Sequence, residues 1–297
     1  MATDPPSPDQ PQPTTGFPVG QAGQASAASL QTGPPPKSSR PAAAPEPGPQ
    51  LAGRAALVTG GTRGIGLAIA ERLRDHGARV LICGRSQPGR VPDGIEFAAA
   101  DVRDPAQAAA IIGEAAGRFG RLDIVVNNAG GSPSVPAATA SPNLITSVVR
   151  LNLLAPFFVA QAANAVMQAQ DSGGLILNIG SVSAIRPAPG TAAYAAAKAG
   201  LITLTQALAI EWAPAVRVNC VTAGLVRTDD NAAHYGDEQA LAAVAATVPL
   251  GRMASPGDIA GACLLLASPL ASYISGANLV VDGGGQRPLF LTARTGP

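Results

Sequence analysis

One stretch, GSVSAIRPAPGTAAYAAAK (180–198), gathers the side chains with which this chain could do chemistry: Ser181, Tyr194 and Lys198. Tyr194 and Lys198 are four residues apart, which on a helix puts both on one face. A phenol with an ammonium one turn away is a proton-transfer pair, and a nearby hydroxyl can hydrogen-bond a reacting oxygen. The chain has only two lysines, and the other, Lys37, lies in a low-complexity N-terminal stretch; every remaining basic residue is arginine. Arginine is planar and permanently charged, whereas lysine is a compact ammonium with a tunable pKa. A lysine kept at this one position points to chemistry that arginine cannot perform.

The elements that must position these groups follow from composition and pattern. The first 50 residues hold nearly half of the 28 prolines, with Gln, Ala, Ser and Gly between them. Such a segment buries too little apolar surface to offset its ordering entropy, so 1–50 is expected to be a disordered tail. It has no basic start followed by an apolar run, and so does not read as a secretory signal. Residues 51–285 suit a single α/β domain of ordinary size, with 286–297 as a C-terminal tail. The net charge is +1 and only 13% of residues are charged, with no basic stripe that would indicate nucleic acid. Cys83, Cys220 and Cys263 are odd in number and lie in apolar surroundings, as expected of reduced core residues in a cytoplasmic protein. Two isolated histidines and no cysteine pair speak against a structural zinc site, so no metal is expected. The long uncharged run Ile259 to Val281 contains Ser268-Pro269, Ser272, Ser275-Gly276 and Asn278. It reads as a buried helix, a turn and a strand rather than a membrane span.

From Ala55 onward short apolar runs alternate with Ala-rich helical segments. Strands are expected at 55–59, 78–83, 95–100, 122–127, 174–180, 216–222 and 278–282. Helices are expected after the first strand to about His76, from Pro105 to about Phe119, across 141–168, through Tyr194 to about Trp212, and from Ser255. The segment 227–250 reads as mobile. Strands that are apolar throughout and alternate with helices indicate a parallel sheet covered on both faces: a Rossmann-like, doubly wound α/β fold of about seven strands.

TGGTRGIG (59–66) follows the first strand and opens a helix. Gly60 permits the tight turn, and Gly64 and Gly66 allow close approach of backbone to a pyrophosphate at the helix N-terminus, with Thr62, Arg63 and Ile65 between them. No Gly-Lys-Ser/Thr follows, which excludes a nucleotide triphosphatase loop. An NAD site would place a carboxylate at the end of strand two. This chain has Cys83-Gly84-Arg85 there and Arg63 in the glycine loop, so two guanidiniums favour the 2′-phosphate of NADP(H) over NAD. A serine hydrolase would need a Gly-x-Ser-x-Gly elbow, and the serines of GSVS lack the second glycine. His76 reads as a cation at a helix C-terminus or a surface residue, and His234 with Tyr235 as loop residues.

With these residues in order, the chain resembles the short-chain dehydrogenase/reductase superfamily, near its β-ketoacyl carrier-protein reductase type. The resemblance rests on TGGTRGIG, Asp101-Val102, NNAG (127–130), Asn152, Ser181, Tyr194, Lys198, AGLVRT (223–228) and VVDGG (280–284), and covers roughly 51–285. It implies a tetrad of Asn152, Ser181, Tyr194 and Lys198 that reduces a ketone or aldehyde to an alcohol, or the reverse, including 3-oxoacyl thioesters. Tyr194 would donate the proton to the alkoxide. An ammonium about 4 Å away, at an effective dielectric of ~20, lowers a phenol of pKa ~10 by ~3 units. Ser181 would hydrogen-bond the substrate oxygen, with Ser183 as a rival, Lys198 would also hold the nicotinamide ribose, and Asn152 would anchor a water linking Lys198 to solvent. Asp101 and Val102 would meet the adenine, Asn128, Ala129 and Gly130 the adenosine side, and Val226 and Thr228 the carboxamide. The chain has Ala223-Gly224 where the family usually has Pro-Gly, which frees that turn's φ. The resemblance also implies a lid over substrate in 227–250 and a homodimer or homotetramer built on the long apolar helix, with no membrane insertion. A non-catalytic dinucleotide sensor or scaffold would keep the glycine loop and lack a complete tetrad. An NAD-dependent alcohol or steroid dehydrogenase would keep the tetrad and change the cofactor.

Overall fold

The computed structural model describes Met1 and residues 51–228 and 237–286. Its strands are β1 (Ala55–Thr59), β2 (Arg79–Gly84), β3 (Ile95–Ala99), β4 (Ile124–Asn127), β5 (Gly174–Ser181), β6 (Val216–Ala223) and β7 (Asn278–Val281). The helices are α1 (Gly64–Asp75), α2 (Pro105–Phe119), α3 (Pro142–Val149), α4 (Ala155–Gln168), α5 (Ala192–Glu211), α6 (Glu238–Thr247) and α7 (Pro256–Ala267). The strands form one sheet in the order β3-β2-β1-β4-β5-β6-β7, with every pairing parallel.

The apolar runs become central strands because both faces of the sheet are covered. Alternate residues of β1 enter different cores: Ala56 and Val58 pack in the layer that contains Ile69 and Leu73 of α1 and Ile259 and Cys263 of α7. Ala55 and Leu57 pack in the layer of Ile111 and Ile112 of α2 and Val159 and Ala163 of α4. The helix ends carry local signals. The Asp104 carboxylate accepts from the N–H groups of Ala106 and Gln107, Pro105 opens α2, and Gly120 ends it at φ 72°. Ser255 and Asp258 form a reciprocal capping box at the start of α7. The uncharged run 259–281 resolves into α7, a short 3₁₀ turn at Pro269–Ala271 and β7, as its turn residues require.

Two elements differ from the sequence expectation. The helix expected across 141–168 is broken by a π turn at Arg150–Leu154, which buries Asn152. Pro156 accounts for it: proline has no N–H for the carbonyl four residues earlier, that of Asn152, and its ring would crowd it. The wider turn relieves the clash. The segment expected to be mobile contains α6, capped by Asp237, whose carboxylate accepts from the Ala240 N–H at 2.9 Å. Its only buried side chain is Leu241, so an Ala-rich sequence gave no apolar period to read.

Candidate active site

The order of strands reverses between β1 and β4, and the loops leaving their C-terminal ends part to form a crevice. Gly60 and Gly64 adopt φ 61° and 55°, open to glycine. A Cβ on Gly60 would lie 2.9 Å from the Ala129 Cα, and one on Gly66 would lie 2.3 Å from Asn128 Nδ2. The glycine loop and NNAG are thus in backbone contact. Thr59 and Asn128 lock them together. Thr59 Oγ1 accepts from the N–H groups of Asn128 and Ala129, each at 3.1 Å, and donates to the Val126 carbonyl. Asn128 Nδ2 donates to the carbonyls of Thr59 and Gly60 at 3.1 and 3.0 Å.

The crevice has a volume of about 560 Å³ and is lined by Gly60, Thr62, Arg63, Arg85, Asp101, Val102, Ala129 and Gly130 among others. This is a cradle that side chains at the glycines would fill, with the guanidiniums of Arg63, Arg85 and Arg103 in its wall. Its residues fit a dinucleotide phosphate. The carboxylate in the wall, Asp101, is already engaged: Arg103 donates to both of its oxygens, at 2.9 Å from Nε and 2.5 Å from Nη2. That bond, with the charges of Arg103 and Arg85, holds the Asp101 carboxyl below the usual carboxylate range despite some burial.

Beside Gly130 of the crevice wall, α5 carries Tyr194 and Lys198 one turn apart. Lys198 Nζ lies 5.8 Å from the centre of the Tyr194 ring and donates to the Ile179 carbonyl at 2.8 Å. Lys198 is only 3% exposed, and burial lowers its ammonium to about 8. The Cys220 thiol lies beside it, itself pushed up by burial and partly drawn back by the Thr222 hydroxyl and the lysine charge. Asn152 and Lys198 meet at Gly130, where a Cβ would lie 2.8 Å from Asn152 Oδ1 and 3.3 Å from Lys198 Nζ. The Asn152 amide grips the loop: Nδ2 donates to the carbonyls of Gly131 and Val148, and Oδ1 accepts from the Gly131 N–H, each at 2.9 Å. Ser181 ends β5, two residues after the carbonyl that holds Lys198, and its Oγ accepts from the Ser183 N–H at 3.2 Å. Among the described residues the Ser181 hydroxyl proton has no acceptor, which leaves it for one from outside. The arrangement offers a hydroxyl donor, a phenol and a buried ammonium beside the glycine-rich crevice.

Over residues 60–286 the chain matches the family model described as enoyl-(acyl carrier protein) reductase. It is 40% identical over 245 residues to a 3α-hydroxysteroid dehydrogenase of Mediterraneibacter gnavus, covering 78% of this chain and 97% of that protein. The chain belongs to the short-chain dehydrogenase/reductase superfamily. A second relative, the 3-oxoacyl-[acyl-carrier-protein] reductase of Vibrio cholerae, is 39% identical over 241 residues, with 79% of this chain and 98% of that one aligned. A crystal structure assigned to a short-chain alcohol dehydrogenase of Sinorhizobium meliloti 1021 superposes with a TM-score of 0.73 at 37% identity, covering 79% of this chain and 97% of that one.

Within this short-chain dehydrogenase/reductase frame the expected residues sort by place. Gly64, Ile65 and Gly66 belong to the first turns of α1, outside the crevice wall. Asn128 also stands outside it, because its side chain is spent on the glycine loop; it positions the cradle. Val226 forms a bridge to Ala254, and Thr228 packs at Gly64, with its Cγ2 3.7 Å from where a Cβ would stand. His76 closes α1, its Nδ1 2.8 Å from the Arg72 carbonyl oxygen, away from the site. His234 and Tyr235 lie outside the described residues. Sequence reasoning gave Thr59 and Arg103 no role in the site and read Cys220 only as a reduced core cysteine, which it is. Arg103, two residues from Asp101 and of opposite charge, was within reach of a charge-pair search; Cys220 gave no signal, since its role depends on the register of β5 and β6.

Proposed function

We propose that this protein is an NADP(H)-dependent carbonyl reductase or alcohol dehydrogenase in which Tyr194 exchanges the proton. The observation that carries this reading is the buried Lys198 ammonium, 5.8 Å from the Tyr194 ring and beside Gly130 of the crevice wall. An ammonium beside the ring favours the phenolate over the phenol, which readies Tyr194 to exchange a proton. Ser181 donates its hydroxyl proton to the substrate oxygen and orients the carbonyl toward the phenol. Lys198 takes the nicotinamide ribose as well, and the Asn152 carbonyl, without its α-helical donor, anchors a water that resupplies the proton. The bound nicotinamide would supply or accept the hydride. Arg63 and Arg85 hold the 2′-phosphate, Gly60, Thr62 and the first amides of α1 the pyrophosphate, Asp101 and Val102 the adenine, Ala129 and Gly130 the adenosine side, and Val226 and Thr228 the carboxamide.

The substrate enters beside an apolar cavity of about 240 Å³ whose wall includes Pro133, Val135, Leu144, Val148 and Ala193, the neighbour of Tyr194. It suits the uncharged body of a ketone or its alcohol. The catalytic unit in this reading is residues 51–285. Three free, buried cysteines suit a reducing compartment, the cytoplasm. Half-exposed apolar side chains of α4 and α5 suit a homodimer or homotetramer.

Tyr194→Phe is the test. The variant should lose turnover by at least about 1,000-fold, within the range of general acid catalysis, while NADPH binding by fluorescence stays near wild type. Wild-type turnover in Tyr194→Phe on any accepted carbonyl compound would remove the mechanism.

A further inference from the structure

A second cavity, of about 430 Å³, lies at the opposite edge of the sheet, where the chain enters β1, β4, β5 and β6. Arg54 and Asp123 immediately precede β1 and β4, Gly174 opens β5, and Arg217 is the second residue of β6. Ser268 adds to the wall from the end of α7. The strands run from this cavity to the crevice at their other ends, so the two share no wall residue.

The wall is rich in donors and short of acceptors. Its carboxylate, Asp123, already accepts four hydrogen bonds: from Arg54 Nη1 (2.7 Å), the Ala55 N–H (2.9 Å), Arg121 Nε (2.7 Å) and Arg121 Nη2 (2.6 Å). Those fill the lone pairs of a carboxylate. Burial alone would raise the Asp123 carboxyl, but the bonds from Arg121, Ala55 and Arg54 outweigh it and hold the group ionised. One carboxylate against two guanidiniums leaves a positive charge in excess. Arg217 adds another. Its Nη1 and Nη2 donate to the carbonyls of Ile274 (2.9 Å) and Leu266 (3.0 Å), and it forms no ion pair among the described residues. Burial lowers its pKa with no acid to offset it. Three N–H groups of Arg217 remain for other acceptors. Ser268 is 2% exposed, and its hydroxyl has no hydrogen-bond partner among the described residues. A buried hydroxyl left unpaired is uncommon, and here it stands in the wall of a cavity with surplus guanidinium charge.

We propose that this cavity binds a small anion through a phosphate or carboxylate group, held by Arg217 and Arg54 and by the Ser268 hydroxyl. Such a group supplies the acceptors that the wall lacks, and a guanidinium can pair with two oxygens of a planar carboxylate or a tetrahedral phosphate at once. Because Arg217 also grips the carbonyls of Leu266 in the last turn of α7 and of Ile274 beyond it, the bound anion would tie that helix end to β6.

Calorimetric titration of the full-length protein with inorganic phosphate, and separately with succinate, at ionic strength fixed by chloride, tests this. Saturable binding of at least one ion is expected, weakened about tenfold or more in Arg217→Gln and several-fold in Ser268→Ala, as for lost charge-assisted and neutral hydrogen bonds. It should persist in Arg85→Ala, a change confined to the upper crevice. Binding lost in Arg85→Ala and kept in Arg217→Gln would place the ion in the crevice and overturn the proposal, leaving the cofactor reading untouched. Should Arg217→Gln fail to fold, Ser268→Ala and Arg54→Gln decide: wild-type affinity in both overturns it. So does the absence of saturable binding of either ion to the wild-type protein.

Discussion

Burying an ammonium costs free energy, and Lys198 is held by a backbone carbonyl rather than a carboxylate. Its folded pKa of about 8 lies below the ordinary 10.5. Between those values the unfolded chain binds the extra proton, so stability rises with pH across pH 8 to 10.5, and below pH 8 the whole cost of about 3 kcal/mol is present. Lys198→Met should therefore abolish turnover yet stabilise the protein at pH 7 by about 2 kcal/mol, after the lost bond to Ile179 is discounted. That gain should shrink to nothing by pH 10.5 in denaturant melts; a pH-independent loss of stability would refute it. The cofactor reading also stands at this scale. Arg85, just after β2, lines a crevice whose carboxylate is already bound by Arg103. Arg85→Asp should weaken NADPH by about 2 kcal/mol, some 30-fold, and leave NADH nearly unchanged or tighter. Equal affinity of the wild-type protein for both would remove the preference.

Among elements, the π turn has the clearest consequence. Pro156 deprives the Asn152 carbonyl of its helical donor, so Pro156→Ala restores one at that position. The variant should melt no lower than wild type and lose kcat, about tenfold, because the carbonyl proposed to anchor the relay water gains a competing N–H. Unchanged kcat would mean that the carbonyl is not used. This element also marks the limit of what the residues reveal. The strands were legible because both faces are buried and an uninterrupted apolar run has few other homes. The helix with Tyr194 and Lys198 was legible from their spacing, and the start of α7 from Ser255 and Asp258. The π turn was not, since a change of hydrogen-bond partner leaves composition and period almost intact, and only Pro156 hinted at it. α6 was hidden because one buried leucine makes no pattern. In the site, residue types pointed to the tetrad and the glycine cradle. They did not reveal that the Asn128 side chain is spent on holding the glycine loop, because that follows from β1 and β4 lying side by side.

For the whole molecule, the apolar windows of the long helix spanning 142–168 and of α5 are only 33% and 39% buried. By length and composition alone both could cross a membrane. Leu154 and Phe157 are each 39% exposed on α4 and its π turn, and Ile210 near the end of α5 is 82% exposed. A second copy covering these side chains accounts for them within the proposed oligomer. Phe157→Glu should shift the species seen by light scattering toward the monomer; an unchanged mass would show that this face is not the interface. The scarcity of lysine has a practical side. Isotope-enriched lysine would light up only two amines in the entire polypeptide, and replacing Lys37 would leave one. A single resonance would then report the protonation of Lys198 directly, in the intact protein, with nothing else to resolve it from.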